Sequence, residues 1–159
     1  MAREKIYLRT LLLQRMNWFE ERILEKARGH GYAKVTPAMA RLFGHMGGHP
    51  VGLSDLARLM GISRQAVHKL ANDAVELGLI EAVPSPQDAR VVRLQFTQAG
   101  WAMSARAAKD FDEIEGLLKD RIGARNVAEL KRLLALAWDE SEEAGRAPAT
   151  ADGNIVNLS

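Results

Sequence analysis

Five side chains that can donate or accept hydrogen bonds, Arg64, Gln65, His68, Lys69 and Asn72, fall within the stretch "SRQAVHKLANDAVELGLI" at residues 63–80. Among them stand Val67, Leu70, Ala74 and Leu77, spaced by three and four residues, the period of one buried helix face. A helix that buries this stripe turns the polar set the other way, with most of its donors in the first two turns. A helix entering a DNA major groove N-terminus first needs that distribution. Arginine matches the paired acceptors of guanine and glutamine the mixed edge of adenine, while lysine and the Ser63 hydroxyl can hold phosphates. Any solvated helix also presents a polar face, so the neighbouring elements have to decide.

Upstream, "GLSDLARLMGI" predicts a short helix over residues 54–60, closed by Gly61, with Ser63 capping the next. Further upstream, Leu8, Leu12, Met16, Phe19, Ile23 and Ala27 repeat at helical spacing and predict one long first helix, ended by "RGHG" at residues 28–31. Thr36 as N-cap and Pro37 at the first helical position open a second helix, and "GGHPVG" at residues 47–52 breaks the chain. Downstream of Gly78 the period becomes two. Val92, Leu94 and Phe96 alternate with Val91, Arg93 and Gln95, which predicts a strand with one buried face. It pairs with residues 80–83 through the tip "PSPQDAR" at residues 84–90. Thr97 can cap a further helix, and a last helix carries Val127, Leu130, Leu134 and Trp138 on one stripe.

The resulting order is four helices, a hairpin and two helices: a mainly α fold with a small β-hairpin. Two short helices joined by a tight glycine turn, then a hairpin, are the parts of a winged helix-turn-helix, with residues 63–77 as recognition helix. At the hairpin tip Arg90 is placed to reach a narrow minor groove, and Asp88 to pair with it and hold it extended. Arg93, expected on the exposed strand face, would contact phosphate.

With these motifs in place, the chain resembles the MarR (multiple antibiotic resistance regulator) family of bacterial transcription factors. The resemblance runs through "VTPAMARLF", the stretch from "GLSDLARLMGISRQAVHKL" to the Asp88–Arg90 wing and "LQFTQAG", and the closing helices, to about Ala144. It implies a homodimer with intertwined terminal helices, a pseudo-palindromic operator, usually repression, and often release by a small anionic or phenolic ligand. The implied organisation is a single domain over residues 1–144. In it a DNA-binding lobe at about 36–97 is flanked by dimerisation helices at about 4–28 and 98–144, and a loosely ordered tail follows at 145–159. Two departures stand out. The wing tip carries two prolines and fewer basic residues than many members, and the absence of cysteine removes sensing by thiol oxidation.

In the resembling family the effector pocket lies between the dimer helices and the DNA-binding lobe. Trp18, Phe19, His45 and Trp101 are candidates to line it, with Arg15 or Arg41 pairing an anionic group, though aromatic residues at helical spacing are more often plain core. His45 and His49, with His30 nearby, raise a metal-responsive alternative. The two glycines of "HMGGH" would break a helix that had to present both rings together. No metal or other cofactor is expected.

Composition limits the remaining classes. Net charge is only +2, so DNA binding must rest on a local face rather than on overall charge. Residues 1–47 hold nine Lys/Arg against four Glu, residues 48–100 five against five, and the remainder eight against eleven acids. No phosphate loop, HExxH, nucleophile elbow or cysteine nucleophile is present, which argues against an enzyme. Asp110, Asp112, Glu113 and Glu115 read as a solvated acidic face. The apolar run near the N-terminus is too short and interrupted for a signal peptide or membrane span, so a cytoplasmic protein without membrane contact is expected. The apolar faces at residues 6–16 and 127–138 exceed what a small lobe needs, and a second copy would cover them. A winged helix that binds only protein is the remaining alternative.

Overall fold

The computed structural model describes residues 5–86, 88 and 90–138. Six helices and three strands follow in the order α1 (Leu8–Gly29), α2 (Pro37–Gly44), β1 (Val51–Gly52), α3 (Leu53–Met60), α4 (Arg64–Glu76), β2 (Ile80–Pro84), β3 (Val92–Phe96), α5 (Gln98–Ile122) and α6 (Ala124–Leu134). The chain divides into two compact units, Met1–Asp110 and Phe111–Ser159. The tail at 145–159, the last helix beyond residue 138 and residue 4 lie outside the described residues.

Each boundary in the first unit has a local cause. The Thr36 hydroxyl accepts the Met39 amide at 3.2 Å, and Pro37 supplies a preset φ where no amide donor is needed. Gly61 closes α3 in the left-handed conformation at φ 64°, with its amide bonded to the Arg58 carbonyl and that of Ile62 to the Ala57 carbonyl. Only two residues further on, the Ser63 hydroxyl accepts the Ala66 amide at 3.1 Å and starts α4.

The core of this unit gathers Leu42 and Met46, Leu56 of α3, Val67, Ala71 and Ala74 of α4, Ile80 of β2, and Leu94 and Phe96 of β3. The burial of Val67 and Ala74, with Leu70 and Leu77 half-buried beside them, is the stripe expected from their spacing. Ala71 belongs to it as well. In α1 the expected stripe is graded: Ile23 is buried, Leu12, Phe19 and Ala27 are half-buried, and Leu8 and Met16 are exposed.

The sheet corrects the expected two-stranded hairpin. Val51 and Gly52, inside the segment read as a break, form a third strand on the open edge of β3, giving the order β1-β3-β2 with all pairs antiparallel. Two residues flanked by glycines, histidine and proline carry too little periodicity to be recognised as a strand. The same strand changes Arg93, which faces Gly52 in the register and is half-buried rather than exposed. Val92, expected inward, is exposed and pairs with Pro84 at the tip end of the hairpin. The short helix begins at Leu53, capped by Gly52 without a side-chain bond, not at Ser54.

One junction joins the sheet to α5. The Thr97 hydroxyl donates to the Gly78 carbonyl at 2.6 Å and accepts the Gly100 amide at 3.1 Å, while the Thr97 amide bonds to the Leu79 carbonyl at 3.1 Å. Gly100 permits this approach, since a Cβ there would overlap the Leu79 carbonyl oxygen.

In the second unit, Ile114 and Val127 are buried, and Lys131 pairs with Glu115 at 2.9 Å. Arg132 grips Glu129 with two bonds of 2.8 Å and holds that carboxyl below the usual carboxylate range. The helix ends at Leu134, so Trp138, expected on its stripe, lies beyond it and is exposed. Leu130 and Leu134 are exposed too.

Because the Leu79 carbonyl is backbone and cannot swing aside, Gly100→Ala is expected to destabilise the protein by about 3 kcal/mol. Urea unfolding at fixed protein concentration measures this, and an unchanged midpoint would refute the close approach.

Candidate nucleic-acid interface

The interface is built on α4. Its buried residues fix which way the helix faces: Gln65, His68, Lys69 and Asn72 stand exposed on the opposite side, and Arg64 is exposed at the first position of the helix, next to the exposed Ser63 cap. The first turn holds no acidic residue, so the positive end of the helix dipole and the free amides there are unopposed by a carboxylate. Asn72 Nδ2 lies 3.3 Å from His68 Nδ1, and Lys69 Nζ lies 3.8 Å from Asp73. Both members of the Lys69–Asp73 pair are solvated, and such a pair restrains the lysine weakly.

The wing is the β2–β3 hairpin. At its tip the Asp88 carboxylate accepts the backbone amide of Arg90 at 2.9 Å, and the Asp88 carbonyl accepts the Val91 amide at 2.9 Å. Asp88 therefore shapes the turn through the main chain of Arg90 rather than through the expected side-chain pair, and Arg90 is exposed. One pair back from the tip end of the hairpin, Arg93 Nη1 donates to the Pro50 carbonyl at 3.3 Å and ties β3 to the residue before β1. Its Nε is buried without a hydrogen-bond partner.

The candidate effector residues are distributed differently from a single cleft. Trp18 and Phe19 meet edge to face with centroids 4.9 Å apart, and the Arg22 guanidinium lies 3.9 Å from the centre of the Trp18 ring. Arg41 is bonded to Glu20 at 2.9 Å, Arg15 is exposed, and His45 is the exposed C-cap of α2. Trp101 packs against Phe96 at 5.0 Å and, with Gly47, His49 and Pro50, borders a cavity of about 110 Å³. None of the other five borders that cavity.

The histidines separate. His30 Nε2 lies 2.9 Å from Arg106 Nε and 3.3 Å from Asp110 Oδ1, and Arg106 Nη2 bonds to the same oxygen at 2.9 Å. Asp110 is only 2% exposed, so this member of the expected acidic face is buried, because a carboxylate with an arginine one turn away can leave water. Sequence alone gave no sign of it, since Arg106 and Asp110 look like an ordinary surface pair at i, i+4. Among the described residues no three potential metal-ligating side chains of the His, Cys, Asp and Glu types come together. No helix among them is long and apolar enough to cross a membrane.

Residues 33–91, the segment holding α2, the helix-turn-helix and the wing up to the start of β3, match the MarR family model. This lobe is a MarR-family winged helix. Members of the MarR family are transcription regulators and not enzymes. The fold extends the likeness beyond the lobe. The reduced form of MarR from E. coli is 24% identical, covering 83% of this chain and 96% of that one, with a TM-score of 0.66. The transcriptional repressor CouR, bound to a 23-mer DNA duplex, is 25% identical over 81% of this chain and 90% of its own, with a TM-score of 0.67. FabT of Streptococcus pneumoniae, in complex with DNA, is 20% identical over 80% and 90%, with a TM-score of 0.66. No curated protein matches the chain. The chain thus has the fold of a MarR-family transcriptional regulator, and two of these relatives hold DNA.

The buried carboxylate gives a test of the packing beside this lobe. Arg106→Ala leaves Asp110 buried with only an imidazole, and a loss of about 3 kcal/mol is expected in urea unfolding. A loss under about 1 kcal/mol would show that the carboxylate reaches water.

Proposed function

We propose that the chain is a sequence-specific transcriptional repressor that binds a pseudo-palindromic operator as a homodimer and is released by a small anionic or aromatic effector. The observation that carries this reading is the exposed, unacidic N-terminal half of α4, together with an exposed Arg90 on the wing tip. Each subunit inserts α4 into a major groove, with Ser63, Arg64, Gln65, His68, Lys69 and Asn72 at the surface of contact. Arg90, on a turn shaped by Asp88, enters the flanking minor groove. Lys69 and the capped helix N-terminus bind phosphates, and Arg93 supports the wing by holding the residue before β1.

A dimer is supported by the apolar surface left outside a single chain. Ile6, Tyr7, Leu8, Leu13 and Met16 in and before α1 are more than half exposed, and Leu130, Leu133 and Leu134 of α6 are over two-fifths exposed. Helices flanking a lobe at about 36–97 would bury this surface against a second copy and set the distance between two recognition helices. An effector held by some of Arg15, Trp18, Phe19, Arg41, His45 and Trp101 would alter that distance and lower operator affinity. The proposed site of action is the cytoplasm.

Fluorescence anisotropy on intergenic duplexes, including the one upstream of its own coding region, tests DNA binding. Tight, selective binding is expected, falling about a thousandfold between 50 and 200 mM salt, with Arg64→Ala and Arg90→Ala each weakening it about tenfold. Binding that is weak, equal on all duplexes and unmoved by both substitutions would replace DNA with a protein partner. Leu13→Glu combined with Leu133→Glu is expected to convert a dimer to monomer in sedimentation and to reduce operator affinity about a hundredfold. A wild-type monomer would remove the dimer.

A further inference from the structure

The polar face of α4 is not uniform. At about 100° per residue, side chains two places apart point to opposite sides of a helix. Gln65 therefore opposes buried Val67, His68 opposes half-buried Leu70, and Asn72 opposes both Leu70 and buried Ala74. Arg64, seven residues and about two turns before buried Ala71, lies on nearly the same side as that residue and is exposed at the first position of the helix. Lys69 opposes both buried Val67 and buried Ala71, so the side that points away from the core holds Gln65, His68, Lys69 and Asn72, and His68 and Asn72 are already joined.

Asn72 Nδ2 donates to His68 Nδ1 across 3.3 Å, a spacing of i, i+4 on one face. The bond has two consequences. An imidazole that accepts at Nδ1 carries its proton on Nε2, so His68 presents a single outward donor. An amide that spends one Nδ2 hydrogen on His68 keeps its second Nδ2 hydrogen and its Oδ1, side by side and outward. One donor beside one acceptor is the complement of adenine, whose major-groove edge offers N7 as acceptor and N6–H as donor. Guanine offers only acceptors there and cytosine only a donor, so neither matches both groups.

We propose that His68 and Asn72 act as one coupled reading unit: Asn72 selects adenine, and His68 selects an acceptor-bearing neighbour, guanine or thymine, while holding the Asn72 amide in the orientation that adenine requires. The proposal rests on the DNA-binding reading above and goes beyond it by assigning base identity. Free of His68, the amide could turn over, and discrimination at the adenine would fall even though His68 does not touch that base.

The test begins with selection of the full-length protein on duplexes with a randomised core, followed by anisotropy on the enriched duplex and on its single-base-pair substitutions. Wild type, Asn72→Ala, His68→Ala and Gln65→Ala are compared, with circular dichroism confirming that these exposed substitutions leave the fold intact. Wild type is expected to lose about tenfold on replacing one particular adenine, a penalty that Asn72→Ala abolishes and Gln65→Ala leaves in place. His68→Ala is expected to abolish the penalty at a neighbouring guanine or thymine and also to reduce the penalty at the adenine at least threefold. A merely structural role would weaken all duplexes alike. A guanine or pyrimidine at the position governed by Asn72, or an adenine penalty untouched by His68→Ala, overturns the proposal while leaving a DNA-binding protein. No enriched duplex at all overturns the DNA-binding reading itself.

Discussion

The structure depends on the burial of one narrow face of α4. Val67, Ala71 and Ala74 pack among residues of α2, α3 and β2, and two of those three side chains are single methyl groups. Small residues let the neighbouring elements come close, so the helix is held along its length rather than by one large anchor. Rotating α4 to expose any of these residues would empty part of the core, and that energetic penalty fixes the direction of the polar face. The core behind the helix thus sets the side on which the donors stand.

The same logic extends outward from α4. Gly61 and Ser63, two residues apart, end one helix and begin the next with every terminal amide near the turn directed to a partner or into the open N-terminal end. On the far side, Gly78 turns the chain into β2 at a positive φ, and Thr97 ties that turn to the start of α5 through both its hydroxyl and its amide. The wing is thereby attached at its base by Thr97, and Arg93 on the Pro50 carbonyl holds β3 again one pair short of the tip. Its tip is organised only locally, by the Asp88 carboxylate on a backbone amide. A rigid base with a locally shaped tip suits a probe that must follow a groove of variable width.

Several charged side chains that look available in the sequence are already engaged. Arg41 holds Glu20, Arg22 covers Trp18, and Arg106 compensates a carboxylate almost removed from water. Exposed pairs add little stability, whereas the buried Asp110 carboxylate would lose its charged partner without Arg106. The charges left open toward solvent in the first unit include Arg64 at the start of α4 and Arg90 on the wing, while Lys69 is exposed and paired only loosely with Asp73. Neither a net charge of +2 nor a count of basic residues would single them out.

How much of this could be read from the sequence follows from how local each cause is. The α4 stripe, its Ser63 cap, the Gly61 stop and the Thr97 cap are decided within a few residues by hydrogen-bond reach and helical period, and they were legible without a structure. So was the change of period at β3, and with it the winged architecture and its family. What escaped was non-local. β1 exists only because β3 has an open edge to pair with, and its two residues carry no pattern of their own. The committed guanidinium of Arg93 follows from that pairing, as the buried state of Asp110 follows from His30 and Arg106 meeting across eighty and four residues of chain. Sequence determines which groups can bond within a turn of chain, whereas tertiary structure decides which of them face water, because burial depends on residues far away along the chain.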